Sequence, residues 1–230
     1  MGELIAHPPN DQATAIARHR EDVAVGDEIV RHRLSSRVIH WAVAVGFTLC
    51  LFTGLPIWSP VMGWMAAFFG GLTVCAWLHR WSGLFFVLSS AVMFFQWAKE
   101  MVLRGREKEW LGPKLIEYLK FSGEDPTVGK YNGGQKLLFW LAEIGAVALL
   151  LSGLVLWFPL SVPVPVREVA IVLHDLAFIA FTAMIIGHIY LGTAAEPGTF
   201  GAMTHGTVKR RWAQLHHPAW VKEVDVGKRK

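Results

Sequence analysis

Apolar positions in this chain come in long unbroken runs, without the period-two alternation of a half-buried strand or a polar stripe at helical spacing. Four runs stand out, at about 36–58, 72–97, 137–158 and 168–193. Each exceeds the about 20 residues that a helix needs to cross a bilayer, and a helix apolar on every side belongs in lipid or inside a bundle. The pattern predicts an all-α protein, an integral membrane bundle of four transmembrane helices with no strands. Polar segments flank the runs. The chain divides into an N-terminal tail over 1–35, a membrane domain over 36–193 and a C-terminal tail over 194–230. The stretch "SPVMGWMAAFFGG" reads as interfacial, with aromatic anchors, and "PLSVPVPVR" as a Pro-rich turn that ends the third helix.

Composition strengthens this picture. Of 230 residues, 53% are hydrophobic and only 17% charged, with 11 Trp, which is too apolar for an ordinary soluble domain of this length. The basic residues then orient the helices. Five of the 22 Lys and Arg lie up to Arg37, eight between Lys99 and Lys136, and seven from Lys209 onward; only Arg80 and Arg167 fall on the opposite side. That bias places both termini and the connection between helices 2 and 3 in the cytoplasm, in a multi-pass inner-membrane protein. The first 35 residues lack an apolar core and a small-residue cleavage site, so the tail is expected to stay where it is made. Polar and charged, it is expected to be disordered. The net charge of +4 is a topology signal; no basic-aromatic motif accompanies it, and no nucleic-acid partner is expected.

Orientation gives each histidine within a span a depth. His40 lies at the inner end of helix 1 and His79 near the outer end of helix 2. Helix 4 carries His174 on the outer side and His188 on the inner side. Fourteen residues separate the latter two, roughly 21 Å along the axis, and at about 100° per residue they return to nearly the same face. Two level pairs result, His79 with His174 and His40 with His188. Ionisable groups in lipid are costly and usually functional, and a haem iron takes one axial ligand on each side of the porphyrin. The pairs therefore predict two non-covalent, bis-histidine b haems, since Cys50 and Cys75 are single and no C-x-x-C-H is present. A histidine at a helix end can instead bond a headgroup or a backbone carbonyl, and for His40 taken alone that reading stands level with ligation. A metal transporter would place acidic ligands near the midplane, where this chain is mostly apolar.

The segments "RVIHW", "WLHRWSGLFF", "VGKYNGGQKLLFW", "VLHDLAF", "GHIYLG" and "VKRRWAQLHHPAW", in this order and spacing, resemble the cytochrome b (gamma) subunit of respiratory formate dehydrogenases. The likeness spans about 31–222. It implies two b haems held by residues at the positions of His40, His79, His174 and His188. It also implies an iron–sulfur subunit with one transmembrane helix, a molybdenum or tungsten catalytic subunit that oxidises formate, and assembly as a higher oligomer of heterotrimers. Electrons would pass from the clusters to the outer haem, then to the inner haem, and on to menaquinone or ubiquinone near the cytoplasmic face. This chain carries no cysteine cluster and no molybdopterin signature, so it would be the electron-transfer and quinone-reducing subunit. The related readings are a cytochrome b subunit of a nickel–iron hydrogenase and, from another class, a haem-free membrane anchor.

"VGKYNGGQK" precedes helix 3 on the inner side. Its glycines allow close backbone approach, and Asn132 and Gln135 can hydrogen-bond a carbonyl oxygen; as a local motif it reads in the first place as a Gly-rich turn with helix caps. The resemblance turns it into the quinone site, with Asn132, Gly134, Gln135 and His188. Arg80, beside His79, is a candidate contact for a haem propionate or an interfacial anchor. Asp175 is either in the outer aqueous boundary or a support for His174. Glu143, an unexpected carboxylate in helix 3, is a possible proton relay if it faces the bundle; the favoured expectation is that it pairs with the partner's helix. His216 and His217 are expected on a solvated surface.

Overall fold

The computed structural model describes residues 10–105, 108, 112 and 126–227. Among them, four helices are long and apolar enough to span a bilayer: α2 (Leu34–Trp58), α3 (Leu72–Trp97), α4 (Gly133–Trp157) and α5 (Val164–Tyr190), the last running on through a π-helical turn at Leu191–Ala195. No more than 28% of the most apolar window of any span is buried, so the bulk of that apolar surface requires lipid or partner chains to cover it.

Two ends differ from the sequence expectation. Helix α4 begins at Gly133 because Asn132 caps it, and α5 begins at Val164 because its first turn tolerates Pro165, where no intrahelical N–H is needed. Between α2 and α3, Pro60–Phe69 winds as a 3₁₀ segment that closes on Gly70 in the left-handed conformation.

The chain divides into two compact units. The membrane unit comprises Ile39–Gln96 and Ala142–Ala183. Its middle is an aromatic trio contributed by three helices: Phe47 lies 4.8 Å from Phe181 and 5.9 Å from Phe86, and Phe86 meets Phe181 edge-on at 5.6 Å.

The other, terminal unit comprises Met1–Val38, Trp97–Leu141 and Met184–Lys230. Here the tail, expected to be disordered, is folded from Asn10 on, residues 1–9 lying outside the described ones. Asn10 caps α1 (Asp11–Ile16), and β1 (Val23–Val25) pairs antiparallel with β2 (Glu28–Val30). After α6 (Gly201–Thr204), β3 (Thr207–Lys209) from the C-terminal tail pairs with β2. Helices α7 (Arg210–His216) and α8 (Pro218–Asp225) follow. The expectation of no strands is thus corrected by a small sheet whose middle strand, β2, has its outer neighbour supplied by the other end of the chain. Ile29, Val208, Trp212, Trp220, Val221 and Val224 form the core that holds the two ends together.

Beneath that core lies a charged cluster. Lys130, 2% exposed, reaches Asp22 at 3.2 Å and Glu21 at 3.5 Å. Arg31 donates to the Lys130 carbonyl and lies 5.2 Å from the ring centres of both Trp212 and Trp220, while Trp220 donates to Asp22 at 2.7 Å. Both tails thereby clamp the irregular segment leading into α4.

His217, expected on a solvated surface, is buried at 1% exposure, and its ring donates to the Gly129 carbonyl at 2.7 Å. Burial, and then the Arg31 charge, hold it well below the ordinary histidine value; the Gly129 bond opposes this only partly. Below about pH 6.5 the unfolded chain binds a proton here that the folded chain refuses, so the terminal unit loses stability as pH falls through that point and keeps it above. The protection factors of Val128–Tyr131 and α8, exchange rates corrected for the intrinsic pH dependence of amide exchange, should therefore fall between about pH 7.5 and about pH 5.5 in the native chain. His217→Gln, which cannot charge, should flatten the profile; identical profiles in both proteins would refute the assignment.

Candidate haem site

Thr53–Gly54 on α2 and Ser152–Gly153 on α4 each place a hydroxyl beside a glycine. Each glycine accepts an imidazole against the helix backbone. A Cβ on Gly54 would sit 2.9 Å from His79 Cε1, and one on Gly153 would sit 3.4 Å from His174 Cε1. The histidines come from α3 and α5, so four helices converge here within the membrane unit.

The ring nitrogens are then fixed. His79 Nδ1 lies 3.0 Å from the Cys50 carbonyl, which can only accept, so Nδ1 carries the proton and Nε2 keeps its lone pair. Thr53 Oγ1 lies alongside at 3.5 Å. His174 Nδ1 lies 2.9 Å from Ser152 Oγ. The expected neighbour, Asp175, is not the group that holds this nitrogen. The ring centres of His79 and His174 are 6.2 Å apart, with planes at 74°. Two metal–imidazole bonds of about 2 Å, with roughly 1 Å from each nitrogen to its ring centre, span roughly 6 Å. The pair fits a single iron held from both sides, and the Cys50 carbonyl leaves His79 Nε2 as the nitrogen available for ligation. Among the described residues no group of three or more His, Cys, Asp or Glu side chains converges on a metal position.

The remaining candidates are placed as follows. His40, half-buried in α2, meets Trp41 edge-on at 5.5 Å and belongs to the membrane unit; His188, half-buried in the last turn of α5, belongs to the terminal unit. Asn132 and Gln135 form a reciprocal cap: Gln135 N donates to Asn132 Oδ1 at 2.8 Å, and Asn132 N donates to Gln135 Oε1 at 3.1 Å. Their oxygens are spent on the helix start, which leaves the two amide NH₂ groups as donors. Gly134, in that first turn, is half-buried. Arg80 Nε donates to the Ala76 carbonyl at 2.9 Å, and the guanidinium lies 5.8 Å from the Trp157 ring centre. Glu143 does not face outward toward a partner helix as favoured: it is 9% exposed and accepts from Ser90 Oγ at 2.9 Å.

Cys50, Thr53 and Ser152 are the supports that sequence reasoning missed. The signal was available, since Thr53–Gly54 and Ser152–Gly153 are hydroxyl–glycine pairs inside otherwise apolar runs.

A helical membrane bundle that offers an imidazole pair at this spacing defines the class of membrane-bound b-type cytochromes. Sequence comparison agrees. The family description of prokaryotic cytochrome b561 matches residues 31–206. The cytochrome b556(fdo) subunit of formate dehydrogenase from Escherichia coli K12 is 34% identical over 201 residues, covering 86% of this chain and 94% of that subunit. The formate dehydrogenase cytochrome b556 subunit of Haemophilus influenzae is 30% identical over 214 residues, covering 90% and 88%. The nitrate-inducible cytochrome b556(Fdn) subunit of E. coli is 30% identical over 206 residues, covering 88% and 94%. The chain belongs to the prokaryotic cytochrome b561 family, in the group of the formate dehydrogenase cytochrome b556 subunits. Membership makes it a membrane protein of haem b electron transfer.

Proposed function

We propose that this chain is the dihaem membrane subunit of a formate dehydrogenase, carrying electrons from an iron–sulfur partner to quinone at the cytoplasmic side. The observation that carries the reading is the His79–His174 pair, 6.2 Å between ring centres with both Nδ1 atoms engaged. The related subunits are named as cytochrome subunits of formate dehydrogenase, which supports a catalytic formate dehydrogenase partner; the iron–sulfur subunit linking it to the membrane is part of this reading.

In this reading His79 and His174 hold the outer haem, and His40 and His188 hold the inner one. Bound haem supplies a one-electron carrier at each level. The helices keep water from both sites and fix the imidazole tautomers. Arg80 contributes a cation to the outer propionates, and its bond to Ala76 sets the direction of its side chain. The amide donors of Asn132 and Gln135 hydrogen-bond a quinone carbonyl, and Gly134 lets the ring approach the start of α4. Glu143, held by Ser90, stores a proton inside the bundle for the same reaction. Haem content and optical spectra of the purified complex test the core of this reading: two low-spin b haems per chain are expected. A haem-free chain would leave only the membrane-anchor reading, and reduction by hydrogen in place of formate would move the chain to a hydrogenase.

Orientation has its own test. Reporter fusions after Gly105 and at the C-terminus should read cytoplasmic, and one near Pro163 should read outside. An outside signal at Gly105 would overturn the assignment of inner and outer histidines together.

The quinone site can be tested without disturbing the helix cap. Asn132→Asp keeps an oxygen acceptor for Gln135 N and removes the amide donor, so α4 should start normally. Both haems should remain present and reducible by formate, while quinone reduction falls at least tenfold. Unchanged quinone turnover would remove Asn132 from the site.

A further inference from the structure

We propose that Ser152 is a positioning residue for the haem held by His79 and His174, accepting the hydrogen bond that fixes the His174 ring and lowering the reduction potential of that haem. The inference rests on the reading that these two histidines ligate one haem. Ser152 is 5% exposed, in the apolar run "AVALLLSGLVLW". Its hydroxyl has one proton, and that proton is committed: Oγ lies 2.7 Å from the Ala148 carbonyl one turn back. What Ser152 turns toward His174 Nδ1 at 2.9 Å is therefore a lone pair, and the imidazole must be the donor. A serine that only satisfied its own helix would explain the first contact and not the second.

Both rings of the pair meet a backbone carbonyl, Cys50 for His79 and Leu149 for His174, which no side-chain substitution removes. His174 has the Ser152 hydroxyl as a closer side-chain acceptor at 2.9 Å, and because that hydroxyl donates to Ala148 it is polarised toward accepting. An acceptor on Nδ1–H pushes electron density through the ring to Nε2, making the imidazole a stronger ligand and favouring ferric over ferrous iron. Ser152 is thus a side chain through which the electronics of this ligand can be changed without touching a ligand.

The test compares Ser152→Ala and Ser152→Thr in the intact complex, reading haem content, the midpoint potential of each haem by redox titration, and the EPR spectrum of the ferric haems. In Ser152→Ala one of the two potentials should rise and its EPR signal should shift, while the other haem stays unchanged. Ser152→Thr keeps a hydroxyl on the β-carbon and should restore both values. Should alanine instead lose one haem outright, recovery of that haem in Ser152→Thr would carry the same conclusion. The proposal is overturned if both potentials and both EPR signals are unchanged in Ser152→Ala, or if threonine fails to restore what alanine loses. Absence of haem from the unmodified complex would overturn the ligation reading itself, a result distinguishable from either.

Discussion

Under the proposed dihaem ligation, His174→Ala should remove one b haem and disconnect the other from formate. Alanine is accepted in a transmembrane helix, so α5 should still insert and the membrane unit should keep its Phe47, Phe86 and Phe181 centre. What disappears is one side of a two-sided site. His79, held by the Cys50 carbonyl, would face a gap where the second ring stood 6.2 Å away. Haem content should fall from two per chain to one. Under the proposed orientation the clusters deliver electrons on this side, so formate-driven reduction of the remaining haem should drop to near background. Dye reduction taken directly from the clusters should survive. Two low-spin haems in the purified variant would rule out His174 as a ligand.

The membrane helices and their histidines were legible because lipid leaves so little freedom. A backbone in hydrocarbon must satisfy its own hydrogen bonds, so length and apolarity alone announce α2 to α5. An imidazole in such a helix is conspicuous against the apolar residues around it. The partners on Nδ1 were harder to foresee. The Cys50 carbonyl carries no mark of its use in the sequence, and Ser152 sits 22 residues from the ring it holds. Asp175, the chain neighbour of His174, was read either as a boundary residue or as its support, while the hydroxyl on Nδ1 comes from another helix.

The terminal unit was not legible at all, for a different reason. Strands of three residues are too short for alternation to declare itself, and β2 is completed by a strand from the far end of the chain. Its polar contacts are equally remote. Arg31 reaches the Lys130 carbonyl across 99 positions, and Trp220 reaches Asp22 across 198. A charged segment read in isolation looks solvated; Lys130 and His217 are buried only because distant segments close over them. The Asn132–Gln135 pair shows the opposite case. Both readings of that motif were visible in the sequence, and the structure realises the capping one while leaving the amide donors free for the other.

His188→Ala should separate the two halves of electron transfer. His188 closes the last turn of α5, fourteen residues from His174, or roughly 21 Å along one continuous helix. Its removal leaves His79, His174, the Cys50 carbonyl and Ser152 untouched, since all four act within the membrane unit. One haem should remain, and formate should still reduce it at the rate seen in the unmodified complex. Quinone reduction should fall to near background, because electrons would face most of that 21 Å without an intermediate carrier. The contrast with Asn132→Asp is what makes the result diagnostic: that variant keeps both haems and loses only the last step. Near-normal quinone reductase activity in His188→Ala would refute its role. Loss of the haem that formate reduces first, with the second retained, would show that the pairing of histidines by depth is inverted.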